Sequence, residues 1–189
     1  MTALLATVFA FGALAGCTSS QTGGNPTTPP ATGGQTTTSE PTSGGPGLSI
    51  AKYVSAPCSV LKPDQVATLG TLRATTPGTG VLGPNCTYQG KDVIKNSTYV
   101  VTVTEGQDFE DAVNNVKDTP NFTDKKIDGV RVVSYDRGGG ELACATVVQA
   151  SKTDSVMVQV STAADERTAK KPCPESERVA QLIITNLKG

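Results

Sequence analysis

Residues 18–47 are almost entirely Thr, Ser, Gly and Pro: 9 Thr, 4 Ser, 7 Gly and 5 Pro, or 25 of 30. A stretch of this kind has nothing to bury, so it cannot offset the entropy of ordering its own backbone. It separates a short leader from about 140 residues that can fold. A chain of that length buries roughly two thirds of its unfolded surface, enough for one core and too little for two. As a flexible coil the stretch has a root-mean-square span on the order of 30 Å and is read as a tether.

The leader holds an apolar run of 13 residues, 3–15, reading ALLATVFAFGALA. It is too short to cross about 30 Å of hydrocarbon but has the length of a signal-peptide apolar region. The run ends in Leu14-Ala15-Gly16-Cys17, which resembles the bacterial lipobox, where the Cys takes a diacylglycerol thioether and the signal is cut just before it. The resemblance implies a signal peptide over 1–16, lipidation at Cys17, a tether over 17–47 and a single domain over 48–189. The protein is then expected outside the cytoplasm, on the outer face of the cell membrane. Its acyl chains would hold it there at about 0.8 kcal/mol per buried CH₂. No Lys or Arg precedes the apolar run, so the missing basic segment puts the expected true start upstream of Met1.

The side chains that most often do chemistry are scarce. There is no His, which removes Ser-His-Asp and Cys-His systems and imidazole metal ligands. Sixteen Lys plus Arg against 17 Asp plus Glu leave a net charge of −1, without the positive field that holds nucleic acid. Trp is absent and aromatics make up 4%, so stacking platforms for bases are few. No catalytic, cofactor-binding or metal-binding residue is assigned, and no enzymatic activity is expected.

Several motif matches fail on context. Gly78-Thr79-Gly80-Val81-Leu82-Gly83 spells G-x-G-x-x-G, but no strand is expected before it and Pro84 stops a helix after it, so a Gly-rich loop is expected. Ser49-Ile50-Ala51-Lys52 spells S-x-x-K without the companion S-D-N and K-T-G. Asp108, Glu110 and Asp111 offer carboxylates for glycoside cleavage, yet they fall in a first helical turn, where negative charge complements the helix dipole. Lys125-Lys126 and Lys170-Lys171 are expected as solvated loop charges. Asn96 and Asn121 head glycosylation-like sequons and are expected in turns.

Within the domain, Pro63 at a first helical position and Gly70 past the end mark a short helix, with Leu61 spaced to staple onto Val66. Asp108 caps a second helix over 108–118, with Phe109, Ala112, Val113 and Val116 on one stripe. A third opens at Pro174 and carries Val179, Leu182, Ile183 and Leu187 at helical spacing. Runs with period two at 98–104, 130–135, 142–149 and 156–160, and a short one at 86–89, predict strands. They follow one another too closely for helical crossovers. The expected fold is α+β, an antiparallel sheet of about five strands with helices against it, in the order α-β-β-α-β-β-β-α.

Setting Cys17 aside leaves Cys58, Cys86, Cys144 and Cys173, an even number that reads as two disulfides in an exported domain. Four cysteines allow three pairings, and the count does not choose among them. Zinc is disfavoured by the lack of His and of any C-x-x-C pair. The run from Pro57 and Cys58 to Leu69 and Gly70, then Cys86-Thr87-Tyr88, then Cys144 in a strand and Cys173 at the last helix, resembles the domain of unknown function 3558 family. These are actinobacterial lipoproteins with a lipobox, a linker and a four-Cys domain, and the resemblance brings no established activity. Closeness in the chain favours Cys58 with Cys86 and Cys144 with Cys173, since short closures form early.

The expected function is a non-enzymatic surface lipoprotein. It has the membrane as partner through Cys17, and its domain binds an envelope protein or small ligand. The element order is also similar to extracellular sensor domains of actinobacterial Ser/Thr kinases, which makes a sensory or regulatory module the alternative. An envelope hydrolase using carboxylates is the third reading.

Overall fold

The computed structural model describes residues 46–189. Cys17, with the signal and tether positions up to 45, lies outside the described residues. Seven strands form one antiparallel sheet in the order β1-β2-β3-β7-β6-β5-β4. They are β1 Thr76–Gly80, β2 Gly83–Tyr88, β3 Thr98–Thr104, β4 Thr123–Ile127, β5 Val130–Tyr135, β6 Ala143–Gln149 and β7 Ser155–Ser161. The helices are α1 Ala51–Val54, α2 Pro63–Ala67, α3 Phe109–Asn114 and α4 Pro172–Lys188, with 3-10 turns at Pro57–Ser59 and Ala164–Glu166. Among the described residues no helix is long and apolar enough to cross a membrane.

The central strands form because their apolar residues alternate. Along β7, Val156, Val158 and Val160 point to one face, and Ser155, Met157, Gln159 and Ser161 to the other. Cross-strand pairing carries the first set onto Tyr99, Val101 and Val103 of β3 and onto Cys144 and Val148 of β6. Helix α4 lays Val179, Ala180, Ile183, Ile184 and Leu187 on that face, all buried. Pro172 at its first position suits an N–H that has no intrahelical partner. Lys188 in the last turn donates to the Asp128 carbonyl at 2.6 Å. The segment with α1, the first 3-10 turn and α2 fills the rest of this face, burying Tyr53, Val60, Leu61 and Leu69 in the same core.

Both disulfides pin this helical layer to the sheet. Cys58 bonds Cys86 of β2, with Cα atoms 4.9 Å apart, and Cys173 of α4 bonds Cys144 of β6, at 5.0 Å. At the base of α4 a part-buried polar cluster adds to the clamp. The Tyr99 hydroxyl donates to Glu175 Oε1 at 2.8 Å, Arg178 donates to both oxygens of that carboxylate, and Glu166 accepts from Ser97 N and Oγ and from Lys170.

The sheet has seven strands where about five were expected, and the order is α-α-β-β-β-α-β-β-β-β-α. The two additional strands are the edges. β1, TPGTG, is exposed throughout, and it lies where a Gly-rich loop was expected. Its hairpin with β2 closes over Val81-Leu82, and Gly83, at φ +130°, lies so close to the Val103 carbonyl that a Cβ there would collide with it. β4, TDKKI, is exposed except at Ile127, and its turn to β5 is Asp128-Gly129 with φ of 50° and 79° at the two positions. Lys125 and Lys126 are therefore strand residues, not loop charges, and Lys125 pairs with Glu177 of α4 at 2.7 Å. Lys170 pairs with Glu166 at the same distance. α1 is a single unexpected turn, α3 ends at Asn114 rather than 118, and α4 begins at Pro172 rather than Pro174.

Candidate functional site

The other face of the sheet is only half covered. Helix α3 lies on it with Phe109 and Val113, and Val116 follows; these pack with Val133 of β5 and Val147 of β6. Asp108 caps this helix as expected, its carboxylate accepting from Glu110 N at 2.9 Å. Glu110 and Asp124 both pair with Arg131, whose guanidinium lies 5.3 Å from the Phe109 ring centroid. Those hydrogen bonds hold the Asp124 carboxyl below the usual carboxylate range. The acidic residues 108–111 thus serve the cap and an ion-pair cluster.

A cleft of about 170 Å³ opens between α3, the tip of the β1–β2 hairpin and the sheet. Its floor follows from register: Thr104 pairs with Ser155, and Met157 pairs with Val147. Ala112, Asn115 and Val116 form one wall, Leu82 at the hairpin tip another, and Tyr135 and Arg137 the end. Leu82 is 43% exposed, a large apolar side chain held at the rim rather than in the core. A second cavity of about 230 Å³ adjoins it, also bordered by Tyr135 and Arg137, with Ala145, Gln159 and Asp136.

The polar groups along this groove differ in how far they are engaged. Asp136 is buried, and its carboxylate accepts from the Gly138 and Gly140 amides, which shapes the 137–140 loop. Arg137 is exposed and has no carboxylate partner among the described residues. Burial raises the Tyr135 hydroxyl above its ordinary value, and the nearby Arg137 charge pulls it partly back. Thr104 and Ser155 are 6% and 7% exposed, and their hydroxyls have no hydrogen-bond partner among the described residues; the buried side-chain oxygen in that condition is Thr162 Oγ1, so these two hydroxyls meet the open cleft. Each can donate one hydrogen bond and accept more, so side by side on the cleft floor they offer a ligand a polar foothold.

Of the residues singled out from sequence, Cys58, Cys86, Cys144 and Cys173 are structural, and Cys17 falls outside the described residues. Lys52 sits over the Tyr53 ring, 4.8 Å from its centroid, and Gly78 and Gly80 belong to β1. Among the described residues no group of three His, Cys, Asp or Glu is placed to hold a metal ion. Leu82, Thr104, Arg137, Ser155 and Met157 were not foreseen. The signal that could have found them is Met157, the one apolar residue on the Ser155–Gln159–Ser161 phase of β7.

The family described as Protein of unknown function (DUF3558) matches residues 12–186. No curated protein and no solved structure matches the chain.

Proposed function

For a chain that belongs to the DUF3558 family, we propose a non-enzymatic role as an envelope lipoprotein, anchored through Cys17, whose domain binds an extracytoplasmic ligand or partner on the half-covered sheet face. The observation that carries this reading is the cleft between α3, Leu82 and the strands, an apolar trough with polar ends. Its polar lining consists of hydroxyls, side-chain amides, a phenol and a guanidinium, a set suited to holding a ligand by hydrogen bonds and charge. Membrane attachment at Cys17 would keep such a domain within reach of whatever the envelope presents.

The test is mapping of amide resonances while envelope small-molecule extracts are titrated into the full chain. Shifts clustered at Leu82, Val116, Val147 and Met157 are expected, and shifts confined to the α4 side or to the sheet edges would overturn the reading. Anchoring is checked separately. Cys17→Ala should move the protein out of the membrane fraction, and a variant that stays there removes the anchor from the proposal.

A further inference from the structure

The groove has an apolar middle and two different polar ends, and their separation follows from register. Ser155 and Gln159 lie four residues apart on β7, about 13 Å at 3.3 Å per residue. Gln159 pairs with Ala145, which pairs with Tyr135, so the Tyr135 row is that far from the Thr104–Ser155 row. Between the two rows lie Met157 and Val147, with Leu82 and Val116 facing them across the cleft. At the far row the Thr104 and Ser155 hydroxyls open onto the cleft, with no hydrogen-bond partner among the described residues. At the near row stands Arg137, and the one carboxylate beside it, Asp136, is engaged by the loop amides. The open charge of the groove is therefore positive.

We infer that this groove binds a single-chain anionic amphiphile with a second polar group about 13 Å from its anion. The anion pairs with Arg137, the apolar segment lies on Met157 and Val147 under Leu82, and the distal group hydrogen-bonds Thr104 and Ser155. The inference rests on the reading of this cleft as the binding surface. A guanidinium favours a carboxylate or phosphate because both accept two parallel N–H bonds. The size of the cleft limits the ligand to one chain. The cleft over Met157 and Val147 holds about 170 Å³, the liquid share of five or six waters, so the apolar middle of the groove has room for one short alkyl segment and not for the paired chains of a bilayer lipid. A plain fatty acid would leave the two floor hydroxyls dry and unpaired, which costs affinity.

The test is calorimetric titration of the full chain with 10-hydroxydecanoate, decanoate, 1,10-decanediol and decyltrimethylammonium, each below its micelle concentration. The hydroxy acid should bind best, decanoate about fivefold weaker for the lost hydrogen bond, and the diol about tenfold or more weaker for the lost ion pair. The cation should not bind. Arg137→Gln lies on an exposed loop and should weaken the hydroxy acid about tenfold while leaving the diol unchanged. Ser155→Ala should weaken the hydroxy acid about fivefold and leave decanoate unchanged. Equal affinity for acid, diol and cation, or an Arg137→Gln variant that binds the acid as before, overturns the inference. If none of the four binds while envelope extracts still shift the cleft resonances, the ligand class is wrong and the binding surface stands. If neither shifts them, both fall.

Discussion

The two faces of the sheet are built to different standards. On one, α4 and the segment from α1 to α2 seal a continuous core of valines, isoleucines and tyrosines, and both disulfides cross from that layer into the sheet. On the other, the six-residue helix α3 covers only Val133, Val147 and their neighbours, and the groove beside it keeps Met157 and Leu82 partly open. The same strands supply both faces, so the difference comes from what lies against them. Stability is concentrated where cross-links and a long amphipathic helix act together, which leaves the second face free of that task. Binding surfaces are commonly carried in this way by a rigid scaffold.

The largest way to break the contrast is to remove the cross-link on α4. Replacing Cys144 and Cys173 together by Ser should lower unfolding free energy by about 3.5 kcal/mol on the loop-entropy account, measured by urea titration without reductant. A loss under about 1 kcal/mol would mean that packing alone holds α4. Next comes a matched pair of truncations. Ile183→Ala on the sealed face should cost about 3 kcal/mol, because a fully buried side chain leaves a cavity that a cross-linked layer cannot close. Met157→Ala, on the open face, should cost about 1 kcal/mol, since part of its surface already meets solvent. Equal losses at the two positions would erase the distinction between the faces.

The same asymmetry separates what was legible in the sequence from what was not. Val156, Val158 and Val160, Tyr99, Val101 and Val103, and the α4 stripe bury apolar atoms at a fixed period, so pattern alone finds them. The edge strands have little to bury: β1 is exposed throughout and β4 turns only Ile127 toward the core. β1 is specified by its hairpin partner and β4 by the Asp128-Gly129 turn, a local signal that the sequence carries and that the reading of Lys125-Lys126 as loop charges passed over. The disulfide pairing agrees with chain proximity because each bond ties the helical layer to a strand less than thirty residues away. The groove left little trace. It draws on a hairpin tip, a short helix, four strands and the loop after β5, and no window of sequence contains more than a few of its residues. Arg137 in particular looks like any loop arginine until Asp136 is seen to be engaged.

A smaller effect concerns acid. Burial alone would raise the Glu175 carboxyl, but hydrogen bonds from Arg178 and Tyr99, with the charges of Arg178 and Lys170, outweigh it and hold it below its ordinary 4.5. Glu166 is lowered in the same way, through Lys170 and Ser97. A depressed carboxyl contributes stability that is complete above its unfolded value and lost as pH falls through its folded one. The domain should therefore weaken as pH drops below about 4.5, with α4 the element concerned. Glu175→Gln should flatten that decline while Met157→Ala leaves its slope unchanged. A Glu175→Gln profile parallel to the parent below pH 4.5 would remove this cluster from the stability of the sealed face.

The smallest expected change in stability sharpens the comparison most. Leu82 stands at the tip of the β1–β2 hairpin, 43% exposed, and one side of its side chain lines the cleft. Its two-residue turn is set by the pairing of Gly80 with Gly83, not by the Leu side chain. Leu82→Ser should therefore change unfolding free energy by no more than about 0.5 kcal/mol. The same substitution removes the apolar rim facing Val116 and Met157, so the amide resonances of those residues should shift while those of Ile183 and Val158 stay in place. A loss of several degrees in Tm would show that the hairpin tip holds the fold together. The open face would then be part of the scaffold, and the division of labour between the faces would have to be redrawn.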